Sequence, residues 1–375
     1  MTLTFSKRIA VQAAFVTILA AAAATVVLGD DQVPIPESKS QITTWFNHNI
    51  RPYKERKATL DPALYAAEEG VRIVKVRKDG SGDYTRITDA VKAVPAGNTK
   101  RVIIDIGPGE YHEKVTIDYS QPFVTLVGSS PIDRPVITFG GTAKQYGTVD
   151  SATVIALSKY FVGANLIIKN SAPRPDPYKN NGQALALRIN GDKAAFFNCK
   201  FIGFQDTLCD DRGYHFFKDC YIEGTVDFIF GRGTSLYVNA ELYVIGDKGL
   251  TVITAQGRNQ DKEDTGYSFV HSVIHGTGNG TTYLGRPWGG MPRVIYAYTE
   301  MSSIIQPGGW SDNFHPERTD KLYYGEYKST GPGSNKAKRV KFAKELTFDQ
   351  VKPFITLGYI KAASWLLPPP RPYSN

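Results

Sequence analysis

From residue 71 onward, apolar residues come in short runs parted by Gly, Asn, Asp and Pro. That is the pattern of strands and turns, not of long helices. Strands are predicted over residues 72–76, 102–106, 115–117, 123–127, 136–139, 164–168 and 269–274. One helix is predicted between Asp79 and Ala93, because Ile87, Ala90 and Val91 fall on one face. Residues 30–70 read as an extended lead-in, marked by Pro34, Pro36, Pro52 and Pro62, with a short helix over 62–69. The stretch is too short for a sizeable domain of its own. Residues 336–352 read as looser and charged. The tail, 368–375, is proline-rich and cannot enter a sheet interior.

An internal repeat organises the middle of the chain. Asn198-Cys199-Lys200-Phe201-Ile202-Gly203 aligns with Asp219-Cys220-Tyr221-Ile222-Glu223-Gly224. The same offset places Phe196 on Phe217 and Asp206 on Asp227. Asn165-Leu166-Ile167-Ile168-Lys169-Asn170 reads as an earlier copy, displaced further by the polar, proline-rich loop 171–182. Short repeats of aromatic and β-branched strands, with no room for a helix in each, predict an all-β solenoid. The predicted architecture is a right-handed, single-stranded parallel β-helix over 71–367. Matching positions then stack at about 4.8 Å per coil. Cys199 and Cys220 would stack too, as a buried thiol ladder or as a disulfide.

Composition narrows the setting. The chain has 375 residues, 42% of them hydrophobic, which suits a large core and excludes a wholly disordered chain. Its net charge of +8 suits a polyanion: nucleic acid, an acidic membrane or an acidic polysaccharide. Three cysteines without a CxxC pair exclude a disulfide-dense scaffold and argue against structural zinc. At the N-terminus, Lys7 and Arg8 precede an apolar run over 9–28, followed by Gly29, Asp30 and Asp31. That order predicts a secretory signal peptide over 1–29. No other segment is apolar enough to span a bilayer, so no stable membrane insertion is expected. Secretion also makes nucleic acid a poor partner. It gives the sequon Asn279-Gly280-Thr281 a chance to carry a glycan.

Stacking would set Asp206 and Asp227 on one face of adjacent coils. Carboxylates that close repel, so one is expected to keep its proton as an acid and the other to act as nucleophile or base. A purely structural role at coil corners is the alternative. Gln205 precedes Asp206, and Gln183 opens the strand-like stretch 183–188. Amides there suit a developing oxyanion. Arg286 lies in Leu284-Gly285-Arg286-Pro287-Trp288. An Arg can orient one Asp, and a Trp can stack on a sugar. No Gly-x-Ser-x-Gly elbow is present. His271 and His275 read as structural or surface histidines rather than as metal ligands.

These blocks resemble the signatures of pectinesterases (pectin methylesterases). They are Gly203-Phe204-Gln205-Asp206-Thr207-Leu208, Gly224-Thr225-Val226-Asp227-Phe228-Ile229-Phe230-Gly231 and Leu284-Gly285-Arg286-Pro287-Trp288. Residues 183–188, Thr254-Ala255-Gln256-Gly257-Arg258 and Tyr323-Tyr324-Gly325-Glu326-Tyr327 resemble further blocks. The resemblance implies a secreted β-helical enzyme of the cell wall, with no cofactor and no metal, acting as a monomer. It would hydrolyse methyl esters of homogalacturonan. Asp227 would be the nucleophile and Asp206 the general acid, then base. Gln205 and Gln183 would steady the intermediate, and Arg286 would bond the nucleophile. Thr148, Gln183, Arg286, Trp288 and Phe230 would contact substrate. Pectinesterase inhibitor proteins are implied partners. The short lead-in and the Cys209–Cys220 stretch resemble the plant branch without an inhibitor-like pro-domain, which includes pollen and floral enzymes. Cys209 stands where many relatives have Tyr, and Val149 where many have an aromatic residue. The competing readings are a non-catalytic pectin-binding β-helix and a β-helical lyase or glycosidase, the last also using paired acids.

Overall fold

The computed structural model describes residues 31–176 and 182–370. The expected signal segment 1–29, part of the loop 171–182 and residues 371–375 of the tail lie outside the described residues. The strands form three sheets, of eleven, eight and seven strands, and the chain visits them in turn. One coil runs through Ala194–Phe197, Lys200–Ile202 and Leu208–Asp210. The next runs through Tyr214–Lys218, Tyr221–Gly224 and Ile229–Gly231. Their pairing is parallel and in register, with Phe196 opposite Phe217, Phe201 opposite Ile222 and Leu208 opposite Ile229. The earlier copy aligns as well, with Ile168 opposite Phe201. The architecture is a right-handed parallel β-helix.

Register decides the core. Inward residues stack on their own kind, giving a column of rings from Phe196 through Phe217, Tyr237 and Phe269 to Tyr296, with centroids 4.4–4.9 Å apart. Such offset stacks add to the burial of the rings themselves. Cys199 and Cys220 lie in another inward column, and all three cysteines are buried free thiols. The bonded alternative is therefore not what the structure holds. In-register side chains leave parallel strands in the same direction, which keeps their Cβ atoms at about the 4.8 Å strand spacing. A disulfide needs roughly 3.8 Å.

Each coil turns its corners on single residues in the left-handed region. Asn165, Asn198, Asp219, Asn239 and His271 form one corner column, Phe123, Tyr160 and Lys193 a second, and Asp206 and Asp227 a third, with φ between 49° and 62°. Asn and Asp tolerate this conformation best among residues with a side chain. In the first column the side chains also bond one another: Asn198 Nδ2 donates to Asn165 Oδ1 at 2.8 Å, and Asn239 Nδ2 to Asp219 Oδ1 at 2.6 Å. The strands predicted over 164–168 and 269–274 are each two strands parted by such a corner, at Asn165 and His271.

The helix predicted between Asp79 and Ala93 is Ile87–Lys92, and it buries Ile87, Ala90 and Val91 over the first coils. The stretch 30–70 is less extended than its prolines implied. Besides Pro62–Glu69 it holds a second helix, Ile42–Asn49, which buries Ile42, Trp45, Phe46 and Asn49. That face packs on the outside of the eleven-stranded sheet, with Phe46 stacked on Phe216 at 5.8 Å. Residues 351–366 share the same apolar layer. Buried Arg56 joins the two segments by donating to the carbonyls of Leu366, Ala362 and Ala363. Among the described residues no helix is long and apolar enough to cross a membrane.

Candidate active site

The candidate residues gather on the outer face of the seven-stranded sheet. Register places Ile155, Arg188, Cys209, Phe230, Ala255 and Arg286 in one row across it. Asp206 and Asp227 stand at the corner just before this sheet, on neighbouring coils. The Asp206 N–H donates to the Val226 carbonyl at 3.0 Å, and Leu208 N–H to Phe228 at 2.9 Å, so the corners stack closely. Thr207 Oγ1 ties the first corner to the second by donating to Glu223 O at 2.8 Å. Gly224 is required by this approach, because a Cβ there would lie 2.5 Å from the Phe204 carbonyl of the neighbouring coil.

Both aspartates turn in the left-handed region, but their carboxyls meet different surroundings. Asp206 is 8% exposed. Burial first, and then the charge of Asp227, push its carboxyl well above the usual range, against a smaller opposing pull from Arg286. Asp227 is gripped by Arg286, whose Nε donates to Oδ1 at 2.8 Å and whose Nη2 donates to Oδ2 at 2.5 Å. This is the two-pronged geometry that a planar guanidinium makes with a carboxylate. Burial pulls the Arg286 guanidinium down, but the bonds and charge of Asp227 outweigh it and the net direction is up. One acid thus sits poised to hold a proton while its neighbour is charge-paired and fixed in orientation.

The remaining sequence candidates fall around this pair, with different degrees of involvement. Gln205 is half-buried directly before Asp206, and its carbonyl accepts the Ala184 N–H at 3.2 Å, which stacks it beside the 183–187 segment. Gln183 has a buried side-chain oxygen with no hydrogen-bond partner in the protein. A buried unpaired amide oxygen is costly, and a bound ligand would relieve it. Phe230 is buried, and Trp288, 57% exposed, meets it edge to face at 5.7 Å. Thr148 is half-buried before the turn Val149–Ser151, and its carbonyl accepts the Ser151 hydroxyl at 2.6 Å. Asn279 is exposed between strands Val273–Thr277 and Thr282–Pro287, two coils along from Asp227. Cys209 and Val149 come together: both join a small apolar cluster with Ile155, Leu185, Phe230 and Ala255. Burial raises the Cys209 thiol well above its usual range, so it is an inert packing group.

Sequence reasoning missed Asn313, whose Oδ1 accepts from Arg286 Nη1 at 3.2 Å. No motif marks it, because its partner lies 27 residues back along the chain. Among the described residues no group of three or more His, Cys, Asp or Glu is placed to hold a metal ion.

Known proteins share this arrangement of chain. The Pectinesterase family model matches residues 73–363. An Arabidopsis thaliana protein named "Probable pectinesterase 50" is 54% identical over 356 residues, 95% of this chain and 98% of that one. Pectinesterase 1 of Olea europaea is 51% identical over 344 residues, 92% of this chain and 93% of its own length. Among solved structures, the pectin methylesterase from carrot superposes with a TM-score of 0.69 at 32% identity, covering 77% of this chain and 95% of that one. Matched from the first coil to the C-terminal segment, the chain belongs to the pectinesterase family, in its plant type.

Proposed function

We propose that this protein hydrolyses the methyl esters of galacturonate units in pectin, releasing methanol, by covalent catalysis at Asp227. The observation that carries the reading is the bidentate Arg286–Asp227 pair beside buried Asp206, whose carboxyl is pushed up by burial and by the Asp227 charge. An Asp227 carboxylate oxygen attacks the ester carbonyl carbon. The negative charge that develops on the carbonyl oxygen is met by the side-chain amides of Gln183 and Gln205. As the intermediate collapses, the C–OMe bond breaks and Asp206 gives its proton to the departing oxygen, forming methanol. An acyl–Asp227 anhydride remains. Asp206, now ionised, takes a proton from water as the water attacks the anhydride carbonyl. Asp227 is regenerated as carboxylate, Asp206 is again protonated, and the galacturonate leaves as its carboxylic acid, which gives its proton to solvent.

The burial of Asp206 supports the acid role, because a carboxyl in water would be deprotonated at neutral pH. The exposed Trp288 over Phe230 supports a sugar-stacking lip on the groove. Thr148 is assigned to the same groove. The family and the basic charge support work on cell-wall pectin outside the cell, with Asn279 as a glycan site and inhibitor proteins as partners of a monomeric enzyme. The test is methanol release from highly methylated pectin by wild type and Asp227→Asn, with viscosity followed in parallel. Methanol from wild type alone, without chain shortening, is the expected result. Methanol from both proteins would put the nucleophile elsewhere. Chain cleavage without methanol would point to a lyase or glycosidase.

A further inference from the structure

Arg286 spends two of its nitrogens on Asp227, and the third, Nη1, donates to Asn313 Oδ1 at 3.2 Å. Asn313 belongs to a segment fastened to the very strand that carries Arg286. Leu284 N–H donates to Gly309 O at 2.7 Å and Ser311 N–H to Gly285 O at 3.0 Å. Gly285 and Trp310 form a parallel bridge. Trp310 anchors the segment from beneath: it is buried, stacks on Tyr324 at 4.3 Å and donates from Nε1 to Glu326 at 3.0 Å. Asn313 itself adopts φ 53°, and its N–H donates to Ser311 Oγ at 3.0 Å. Asn is suited to that backbone, and few other residues are.

The consequence concerns a plane. A guanidinium held only on its Asp227 side can pivot, carrying the carboxylate with it. Held at Nη1 as well, by a rigid segment, it loses that pivot. Orientation of this kind matters to rate because attack requires the nucleophile within a narrow geometry.

We propose that Asn313 is a positioning residue of the esterase reaction, acting through Arg286 to hold Asp227 in its attacking orientation. The inference rests on the reading of Asp227 as nucleophile. Two variants separate the side chain from the backbone. Asn313→Gly removes the amide and suits the left-handed conformation. Asn313→Asp keeps both an acceptor oxygen and a tolerant backbone. Steady-state kinetics on highly methylated pectin would be run on both, beside Asp227→Asn, with thermal melts as the folding control. The Gly variant should melt close to wild type, lose about tenfold in kcat and shift KM by less than about threefold. The Asp variant should recover most of that kcat. An unchanged kcat in Asn313→Gly, beside an inactive Asp227→Asn, would overturn this inference alone. So would a loss expressed as a raised KM and shared equally by both variants. Activity surviving in Asp227→Asn would overturn the nucleophile reading and this inference with it.

Discussion

Two corner columns of the β-helix share one backbone and differ in everything else. Asn165, Asn198, Asp219 and Asn239 turn the chain between the eleven- and eight-stranded sheets, and Asp206 and Asp227 turn it into the seven-stranded sheet. All take the same left-handed conformation. In the first column the side chains satisfy one another, amide to amide and amide to carboxylate. In the second, two carboxyls stand on neighbouring coils with no hydrogen bond between them, and an Arg from a later coil bonds only one of them. The fold supplies stacked polar corners as a by-product of its register. Chemistry arises where a corner pairs like with like and the neighbouring loops supply charge and cover.

The comparison breaks most sharply at Asp227. Asp227→Asn should lower kcat on methylated pectin by on the order of 10⁴-fold or more, as removal of a nucleophile does. Asp206→Asn should cost on the order of 10²–10⁴-fold, the range for a general acid. This variant also carries a stability signature. The folded protein holds the Asp206 proton that the unfolded chain releases above about pH 3.9. Asp206 therefore subtracts stability as pH rises from there through its raised folded value. Asn does not ionise, so Asp206→Asn should melt higher than wild type at neutral pH, with the difference closing near pH 3 in paired calorimetric scans. Arg286→Lys keeps the charge but loses the planar fork, and kcat should fall on the order of 10²-fold. At the structural corner, Asn239→Ala removes the bond to Asp219 and places Ala in a left-handed turn. Denaturant unfolding should show a loss of about 1–2 kcal/mol, while methanol release stays at the wild-type rate.

The repeat was legible because the coils of Cys199 and Cys220 carry no insertion between them, so Asp206 and Asp227 could be stacked by counting alone. Corners inside apolar runs were not. A single Asn165 or His271 turns the chain into the next sheet without the Gly or Pro that usually marks a turn, so one predicted strand covered two. The helix Ile42–Asn49 did announce itself, with Ile42, Trp45, Phe46 and Asn49 at helical spacing, but the prolines around it dominated the reading. Spacing alone implies only that the two aspartates differ; the resemblance to pectinesterases is what assigns Asp227 as the nucleophile bonded by Arg286 and Asp206 as the acid. Which one lies buried and which one meets Arg286 depends on a coil supplied some sixty residues later. Asn313 gave no signal, since its role exists only once its segment is pinned beside Gly285.

The described ends of the chain meet on one side of the molecule. Pro34 bridges Thr356, Ile35 N–H donates to Ile355 O at 2.8 Å, and Arg56 closes over the Leu366 carbonyl. All of this lies against the eleven-stranded sheet, whereas the aspartates open on the seven-stranded one. A carrier, tag or solid support joined through either end would therefore leave a long polymer free to thread past the catalytic face. The same enzyme could be tethered by its back and still work along a chain many times its own length.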